Sequence, residues 1–194
     1  RSSNNNGVIW TNQFDNIANY KGHYETTGKE IWEQTEGKVD GFICASGTGG
    51  TIAGVSNALK EKNKNIKVYL SDPKGSCLYN YIKTKEFKSD GNSITEGIGS
   101  SRATKNFEKA LIDDAYSIDD TTALTVLFDL IEKEGLSLGT SSGINVAGAI
   151  KLAQELGPNK TIVTILCDKS DRYQGKLFNK KFLMEKNLPY PRWL

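Results

Sequence analysis

The chain has 194 residues, and its 25 Lys and Arg against 23 Asp and Glu give a formal net charge of +2. This balance provides no basic stripe for nucleic acid, and no apolar run approaches the roughly 18 residues of a membrane span, so we expect neither partner. Three separated cysteines argue against a disulfide framework and a cysteine-ligated metal, and they favour a reducing intracellular compartment. The sequence does not distinguish the mitochondrion from the cytoplasm.

The beginning of the sequence is unusual for a complete protein. Residues 1–7 are rich in Ser and Asn, match no signal or transit peptide, and lack an initiator Met, since the one methionine is Met184. We therefore expect residues 1–11 to be an N-terminal extension or a truncated segment. Residues 12–194 suit one domain with one sizeable core.

The first half of the chain shows a regular alternation of predicted elements. Thr27 and Glu30 have the spacing of a capping box, which predicts a helix that Gly37 ends. The elements that follow are a buried strand at 39–45, a glycine-rich turn, a helix with Ile52, Val55 and Leu59 on one face, a strand at 66–70, a short helix at 76–83, a polar loop at 83–102, a helical turn at 107–112 and an edge strand at 116–118.

The second half continues this alternation. Its predicted elements are a helix opened by Asp119 or Asp120 and ended by Gly135, a helix opened by Ser141 or Ser142 and ended by Gly157-Pro158, a strand at 161–167, a helix around 177–183 and an extended tail at 189–194. The strand at 161–167 is the most apolar of the chain and is predicted to be central. The alternation predicts an α/β fold in three layers, αβα, with a mostly parallel sheet.

Ligands of such sheets bind beyond the carboxyl ends of the strands. Polar segments rich in Gly and Ser fall near three predicted strand ends, at 46–51, 97–102 and 168–172. These segments could converge on one pocket.

The strongest local motif is Ser46-Gly47-Thr48-Gly49-Gly50-Thr51, between a predicted strand and a predicted helix. Glycines there let backbone N–H groups approach an anion, and a helix N-terminus favours negative charge, so the segment has the properties of a phosphate cradle. It is not a Walker A loop, because no Lys-Ser/Thr follows, and Ile52 excludes the dinucleotide fingerprint. On spacing alone, a tight turn without a ligand is an equally good interpretation.

Other polar residues give weaker signals. The loop at 96–102 could close over a ligand with Arg102 near an anion, although a solvated loop is the simpler interpretation. His23 is the single histidine, so a histidine-based triad or metal site would have to use it, and an isolated His is more often a surface or packing residue. We predict no metal site.

Several motifs together resemble the cysteine synthase family of fold-type II pyridoxal phosphate (PLP) enzymes. The matching segments, in family order, are 12–19 (N-Q-F-x-N-x-A-N), 23–32 (H-Y-x-T-T-G-x-E-I-W), 47–51 (G-T-G-G-T), 97–99 (G-I-G) and 141–143 (S-S-G). The resemblance implies that residues 12–194 are the C-terminal part of a PLP-binding catalytic domain. It also implies homodimers.

The resemblance assigns functions to individual residues. PLP would be the cofactor, and Gly47, Thr48, Gly49, Gly50 and Thr51 would hold its phosphate. Gly97 would lie beside its reactive carbon on a mobile loop, and Gln13 would contact the substrate carboxylate. The implied reaction is β-replacement on an O-activated serine, in which O-acetylserine and sulfide give cysteine.

Two departures from the family pattern affect the expected activity. The lysine that forms the Schiff base with the cofactor lies upstream of N-Q-F in the family, and no lysine here matches it, so we assign no catalytic residue and expect this chain alone to be inactive. The family serine that contacts the pyridine nitrogen is replaced by Lys169, unless Ser170 substitutes for it. The run 99–102 also lacks the aromatic residue that many sulfhydrylases carry after G-I-G, and Arg102 suggests a more anionic substrate such as a phosphorylated serine.

Two other functions are compatible with these residues. The chain could belong to a non-catalytic regulatory or scaffold relative that retains the fold. It could also belong to a related lyase of the cystathionine β-synthase type.

Overall fold

A computed structural model describes Gly7 and residues 9–194 of the chain. Of the predicted N-terminal segment 1–11, only Gly7 and residues 9–11 fall within the described part.

The core is a parallel sheet of four strands in the described residues, in the order β3-β2-β1-β4. The strands are β1 (Gly41–Cys44), β2 (Lys67–Pro73), β3 (Asp114–Ile118) and β4 (Ile162–Thr164). Phe42 of β1 lies opposite Val68 of β2 on one side and opposite Val163 of β4 on the other. The predicted α/β fold with a parallel sheet is confirmed, and so is the edge position of β3.

Helices cover both faces of this sheet. They are α1 (Ala18–Glu25), α2 (Thr27–Gln34), α3 (Gly50–Lys62), α4 (Leu78–Thr84), α5 (Asp120–Glu134), α6 (Thr140–Leu156), α7 (Gln174–Leu177) and α8 (Lys180–Glu185), with 3-10 turns at Phe107–Lys109 and Ser170–Tyr173. Successive strand residues point to opposite faces. Phe42 accordingly packs with Val55 and Leu59 of α3, whereas Ile43 packs with Leu152 of α6. The three-layer arrangement follows.

Several helix ends agree with the sequence. Asp119 caps α5, because its Oδ1 accepts a hydrogen bond from the Thr122 N–H at 2.8 Å. Gly135 ends α5 in the left-handed region at φ 68°, and Gly157 ends α6. The capping box at Thr27 was wrong, because Thr26 occupies the cap of α2 without a side-chain bond and the Thr27 hydroxyl contacts His23 instead.

Two elements differ from the prediction for physical reasons. The strand at 161–167 shortens to β4, which pairs with β1 alone among the described strands and is half-buried, so its apolar composition does not reflect a central position. Helix α1 was missed because none of its residues is buried. It packs through its backbone on α3, where a Cβ added to Gly54 would lie 2.6 Å from the Tyr24 nitrogen.

No helix in the described ranges, 7 and 9–194, is long and apolar enough to cross a membrane.

Candidate functional site

A cavity of about 560 Å³ opens beyond the carboxyl ends of β1 and β4. This volume lies within the range of small-molecule sites. The residues that line the cavity are Gln13, Phe14, Cys44, Ala45, Gly47, Thr48, Thr51, Gly97, Ile98, Gly99, Asn145, Ile165 and Cys167. The structure therefore brings together the predicted phosphate cradle, the G-I-G loop and Gln13, three segments that are far apart in the sequence.

The cradle at 47–51 is a close-packed backbone loop that ends at the N-terminus of α3. Gly49 has φ +85°, and a Cβ there would lie 2.6 Å from the Phe107 backbone. A Cβ on Gly47 would lie 2.5 Å from the Gly97 carbonyl oxygen, and one on Gly50 would lie 2.0 Å from Asn19 Oδ1. Because α3 begins at Gly50, the N–H groups of its first turn have no partner within the helix. They can bind an anion.

Polar side chains fix this cradle from outside. Asn19 Nδ2 donates to Thr48 Oγ1 at 2.8 Å and to the Gln13 carbonyl at 3.1 Å, so it ties the N-Q-F segment to the cradle. Thr104 Oγ1 donates to the Thr48 carbonyl at 2.6 Å. The sequence motif contains Asn19 but gave no indication of this role.

His23 supports the cradle from the α1 side. Its Nε2 lies 3.2 Å from Thr51 Oγ1, and its Nδ1 lies 2.9 Å from Thr27 Oγ1. Burial lowers the pKa of His23, so the ring is neutral at pH 7 and positions Thr51 through a hydrogen bond. The expectation of an isolated surface or packing histidine is refined by this contact.

The segment that carries Gln13 is anchored at its backbone. The fully buried Asn106 donates from Nδ2 to the carbonyls of Gln13 and Phe14, at 3.2 and 2.8 Å. Because the acceptors of these bonds are main-chain carbonyls, they place Gln13 at the cavity wall without using its side-chain amide.

Arg102 lies outside the set of lining residues. Its guanidinium donates two hydrogen bonds to the Asp15 carboxylate, at 3.2 and 3.0 Å. This pair holds the pKa of the Asp15 carboxyl below its usual range. The ion pair links the G-I-G loop to the N-Q-F segment, and the Gly99 N–H donates to the Ser46 carbonyl at 2.8 Å, so the loop also rests on the cradle.

The segment after β4 presents a different residue to the cavity from those predicted. Lys169 is exposed, and Ser170 is buried with its Oγ 2.6 Å from Ser137 Oγ. Neither side chain lines the cavity, whereas Cys167 does. Burial raises the pKa of the Cys167 thiol, which is therefore protonated at pH 7.

Asn145 is the lining residue that sequence reasoning missed. It is 1 % exposed, and its amide contacts the Ala45 N–H and the Ile165 carbonyl at 2.6 and 2.7 Å. The available signal was a polar side chain placed between the apolar residues Ile144 and Val146 of α6. In the described part of the chain, no cluster of three or more His, Cys, Asp or Glu side chains could hold a metal ion.

The chain belongs to the family of pyridoxal-phosphate dependent enzymes, whose sequence model matches residues 1–168. This membership confirms the predicted family and its cofactor class.

Curated relatives narrow the likeness to cysteine synthases. Cysteine synthase 1 of Neurospora crassa is 48% identical over 186 residues, which are 93% of this chain and 50% of that protein. The cysteine synthase of Dictyostelium discoideum is 45% identical over 190 residues, again 93% of this chain and 50% of that protein. The resemblance read from the motifs is confirmed, and the chain spans about half the length of these relatives.

A solved structure shows the same fold. The O-acetylserine dependent cystathionine beta-synthase of Helicobacter pylori matches with a TM-score of 0.78 and 32% identity, over 86% of this chain and 52% of that one.

Proposed function

We propose that this chain forms the phosphate-binding part of the PLP site in an enzyme that makes cysteine from an O-activated serine and sulfide. The observation that carries the proposal is the cradle at 47–51, where three glycines admit close backbone contacts at the N-terminus of α3. The 48% and 45% sequence identity to two cysteine synthases, each over 93% of the chain, supports the same reaction.

The residues of the cavity fit the proposed cofactor. A phosphate carries oxygen acceptors and negative charge, and the cradle offers backbone N–H groups of Gly49, Gly50 and Thr51 with the hydroxyls of Thr48 and Thr51. The cavity beyond the cradle, walled by Gly97 and Cys167, has room for a ring. When bound, PLP supplies an electron-withdrawing ring that facilitates loss of the substrate α-proton and of its β-substituent.

The chain's own contribution to the reaction is binding and orientation. We assign the substrate carboxylate to Gln13, whose backbone Asn19 and Asn106 hold. We place Gly97 beside the reacting atoms, because a Cβ there would meet no atom within 4 Å and the backbone faces open space. Cofactor contacts from Lys169 and Ser170 stay predictions, and they require residues 167–170 to rearrange.

No lysine lines the cavity within the residues that the structure describes. The resemblance implies a lysine that holds the cofactor, and this chain does not place one at the cavity, so we propose that residues 12–194 are the C-terminal part of the catalytic domain and inactive alone. The same observation, with Lys169 in the family serine position, favours a non-catalytic relative as a second candidate. The likeness to the Helicobacter pylori protein favours a cystathionine β-synthase type of reaction as a third.

Partners and compartment follow from the same proposal. The substrate is a small amino acid, and we expect the active protein to be a homodimer. The three cysteines are free thiols, which supports a reducing intracellular compartment, either the cytoplasm or the mitochondrion.

Equilibrium dialysis of the chain against PLP tests the proposed function. We expect saturable binding that inorganic phosphate competes away. In the Gly47→Ala variant, the new Cβ would press on the Gly97 carbonyl oxygen, so we expect affinity to fall at least about tenfold. Gly22→Ala is the matched control, because a Cβ at this position in α1 meets nothing within 4 Å. Absence of PLP binding by the wild-type chain would refute the proposal.

A further inference from the structure

The backbone ladder between β1 and β4 stops short of the cavity. The Gly41 N–H donates to the Thr161 carbonyl at 3.1 Å, and the paired register continues to Ile43 and Thr164. Since parallel ladder bonds recur every second residue, the next donors along β1 are the N–H groups of Ile43 and Ala45. The bond expected from Ala45 would go to the Ile165 carbonyl.

The side chain of Asn145 occupies the position of that bond. Its Oδ1 accepts from the Ala45 N–H at 2.6 Å, and its Nδ2 donates to the Ile165 carbonyl at 2.7 Å. A carboxamide can do both because it carries an acceptor and a donor, as a peptide group does. Paired strands normally lie about 4.8 Å apart, so a side chain between their backbone groups holds the two strand ends further apart than pairing would.

The separated strand ends lead directly into the two walls of the cavity. Ala45 precedes the cradle, and Ile165 precedes Cys167, whose Sγ lies 3.4 Å from Asn145 Nδ2. Asn145 is anchored in turn by α6, where the Ser142 Oγ accepts from the Cys167 N–H at 3.0 Å and Ser71 Oγ donates to the Ile144 carbonyl at 2.7 Å. The Asn145 side chain that separates the two strand ends is therefore fixed to a helix that packs on the sheet.

We infer that Asn145 is a positioning residue for the cofactor ring: it holds the cradle and the segment 165–167 apart at the floor of the cavity. This inference rests on the proposed function, since the ring is that of PLP. The conformation of the cradle itself does not depend on Asn145, because Asn19, Thr104 and the Phe107 backbone fix it from the other side.

Replacing Asn145 should therefore weaken the binding of PLP and leave the binding of inorganic phosphate unchanged. In Asn145→Ala, the Ala45 N–H and the Ile165 carbonyl can pair directly and narrow the space for the ring. Because the ring then has less space, we expect PLP affinity to fall about tenfold, whereas inorganic phosphate, which needs only the cradle, binds as to wild type. A merely structural role would not produce this difference.

The experiment measures PLP and inorganic phosphate binding to the wild-type chain and three variants. Asn145→Ser leaves a hydroxyl for one of the two partners, and we expect a smaller loss of PLP affinity in the same direction. Asn57→Ala is the matched control, because the Asn57 amide also bonds two backbone groups, the carbonyls of Ala53 and Lys109, and lies away from the cavity. The buried Cys77 reports folding, since its thiol stays unlabelled while the chain is folded.

Unchanged PLP affinity in both Asn145 variants, or equal losses of PLP and phosphate affinity, would overturn the inference and leave the proposed function intact. A wild-type chain that binds phosphate but not PLP would overturn the proposed function, and with it the positioning of a ring.

Discussion

Three asparagine side chains join the segments that wall the cavity. Asn19 connects the cradle to Gln13, Asn106 holds the Gln13–Phe14 backbone, and Asn145 separates the ends of β1 and β4. Asn19 uses its amide as a donor only, whereas Asn106 and Asn145 each use both the donor and the acceptor of their amide. The geometry of this site therefore depends on side-chain amides as much as on the glycines of the cradle.

Replacing the single residue Arg102 tests which substrate the enzyme prefers. Its bidentate pair with Asp15 occupies the guanidinium, so an anionic substrate must compete with a carboxylate for it. If the Arg102 guanidinium exchanges the Asp15 carboxylate for the substrate phosphate, Arg102→Ala should reduce kcat/KM for O-phosphoserine about tenfold more than for O-acetylserine. The reason is that charge-assisted hydrogen bonds are stronger than hydrogen bonds between neutral groups.

The measurement compares both substrates with protein that turns over O-acetylserine. Asp15→Asn is the companion variant, because it weakens the pair without removing the arginine. An equal loss on the two substrates in Arg102→Ala would show that the arginine only fastens the loop to the N-Q-F segment.

At the scale of elements, the junction between β2 and α4 contains a buried carboxyl group. Asp72 is fully buried, and its Oδ2 accepts from the Tyr79 N–H of α4 at 2.8 Å, whereas Oδ1 has no partner in the described residues. Burial raises the pKa of Asp72 to about 6. The carboxyl therefore joins strand to helix at an electrostatic cost near neutral pH.

The raised pKa of Asp72 makes its contribution to folding stability fall as the pH rises. A carboxyl whose pKa is higher in the folded chain than in the unfolded chain binds its proton more tightly when folded. Its contribution is most favourable at low pH and is lost as the pH rises from about 4 to above 6, by roughly 3 kcal/mol for a shift of about two pKa units.

Asp72→Asn should remove this dependence while keeping an oxygen for the Tyr79 N–H. The free energy of unfolding of both proteins is measured in urea at about pH 4.5 and about pH 7.5, near either end of the ~4 to 6 range in which Asp72 acts. In the difference between proteins and between pH values, the contributions of other groups cancel. We expect the variant to gain stability relative to wild type as the pH rises. A double difference near zero would show that Asp72 keeps an ordinary pKa.

For the whole molecule, the sequence predicted most of the architecture because that information is local. Apolar alternation located β1, β2 and β3, and Asp119, Gly135 and Gly157 marked helix ends correctly. Burial is not local, so an apolar run could not reveal that β4 lies at an edge of the described sheet. Helix α1 has no apolar periodicity to detect, since it packs through its backbone.

In the candidate site, the sequence predicted the cradle but not the residues that support and surround it. The cradle could be predicted because its glycines are close together in the sequence, and the family motif favoured a phosphate site over a tight turn without a ligand. Its partners could not, because Asn145 meets Ala45 across 100 residues and Arg102 meets Asp15 across 87. The family motif drew attention to Lys169, whereas the fold turns Cys167 toward the cavity, because residues 169 and 170 pair with residues 137 and 138.

The central claim is that the cradle and the cavity beside it bind PLP through its phosphate. The most direct measurement is the set of backbone amide chemical shifts of the isotopically labelled chain, recorded with and without PLP. We predict shifts concentrated at residues 47–52 and 97–99, with inorganic phosphate reproducing only the first group. Shifts confined to other surfaces, or none at saturating PLP, would contradict the account.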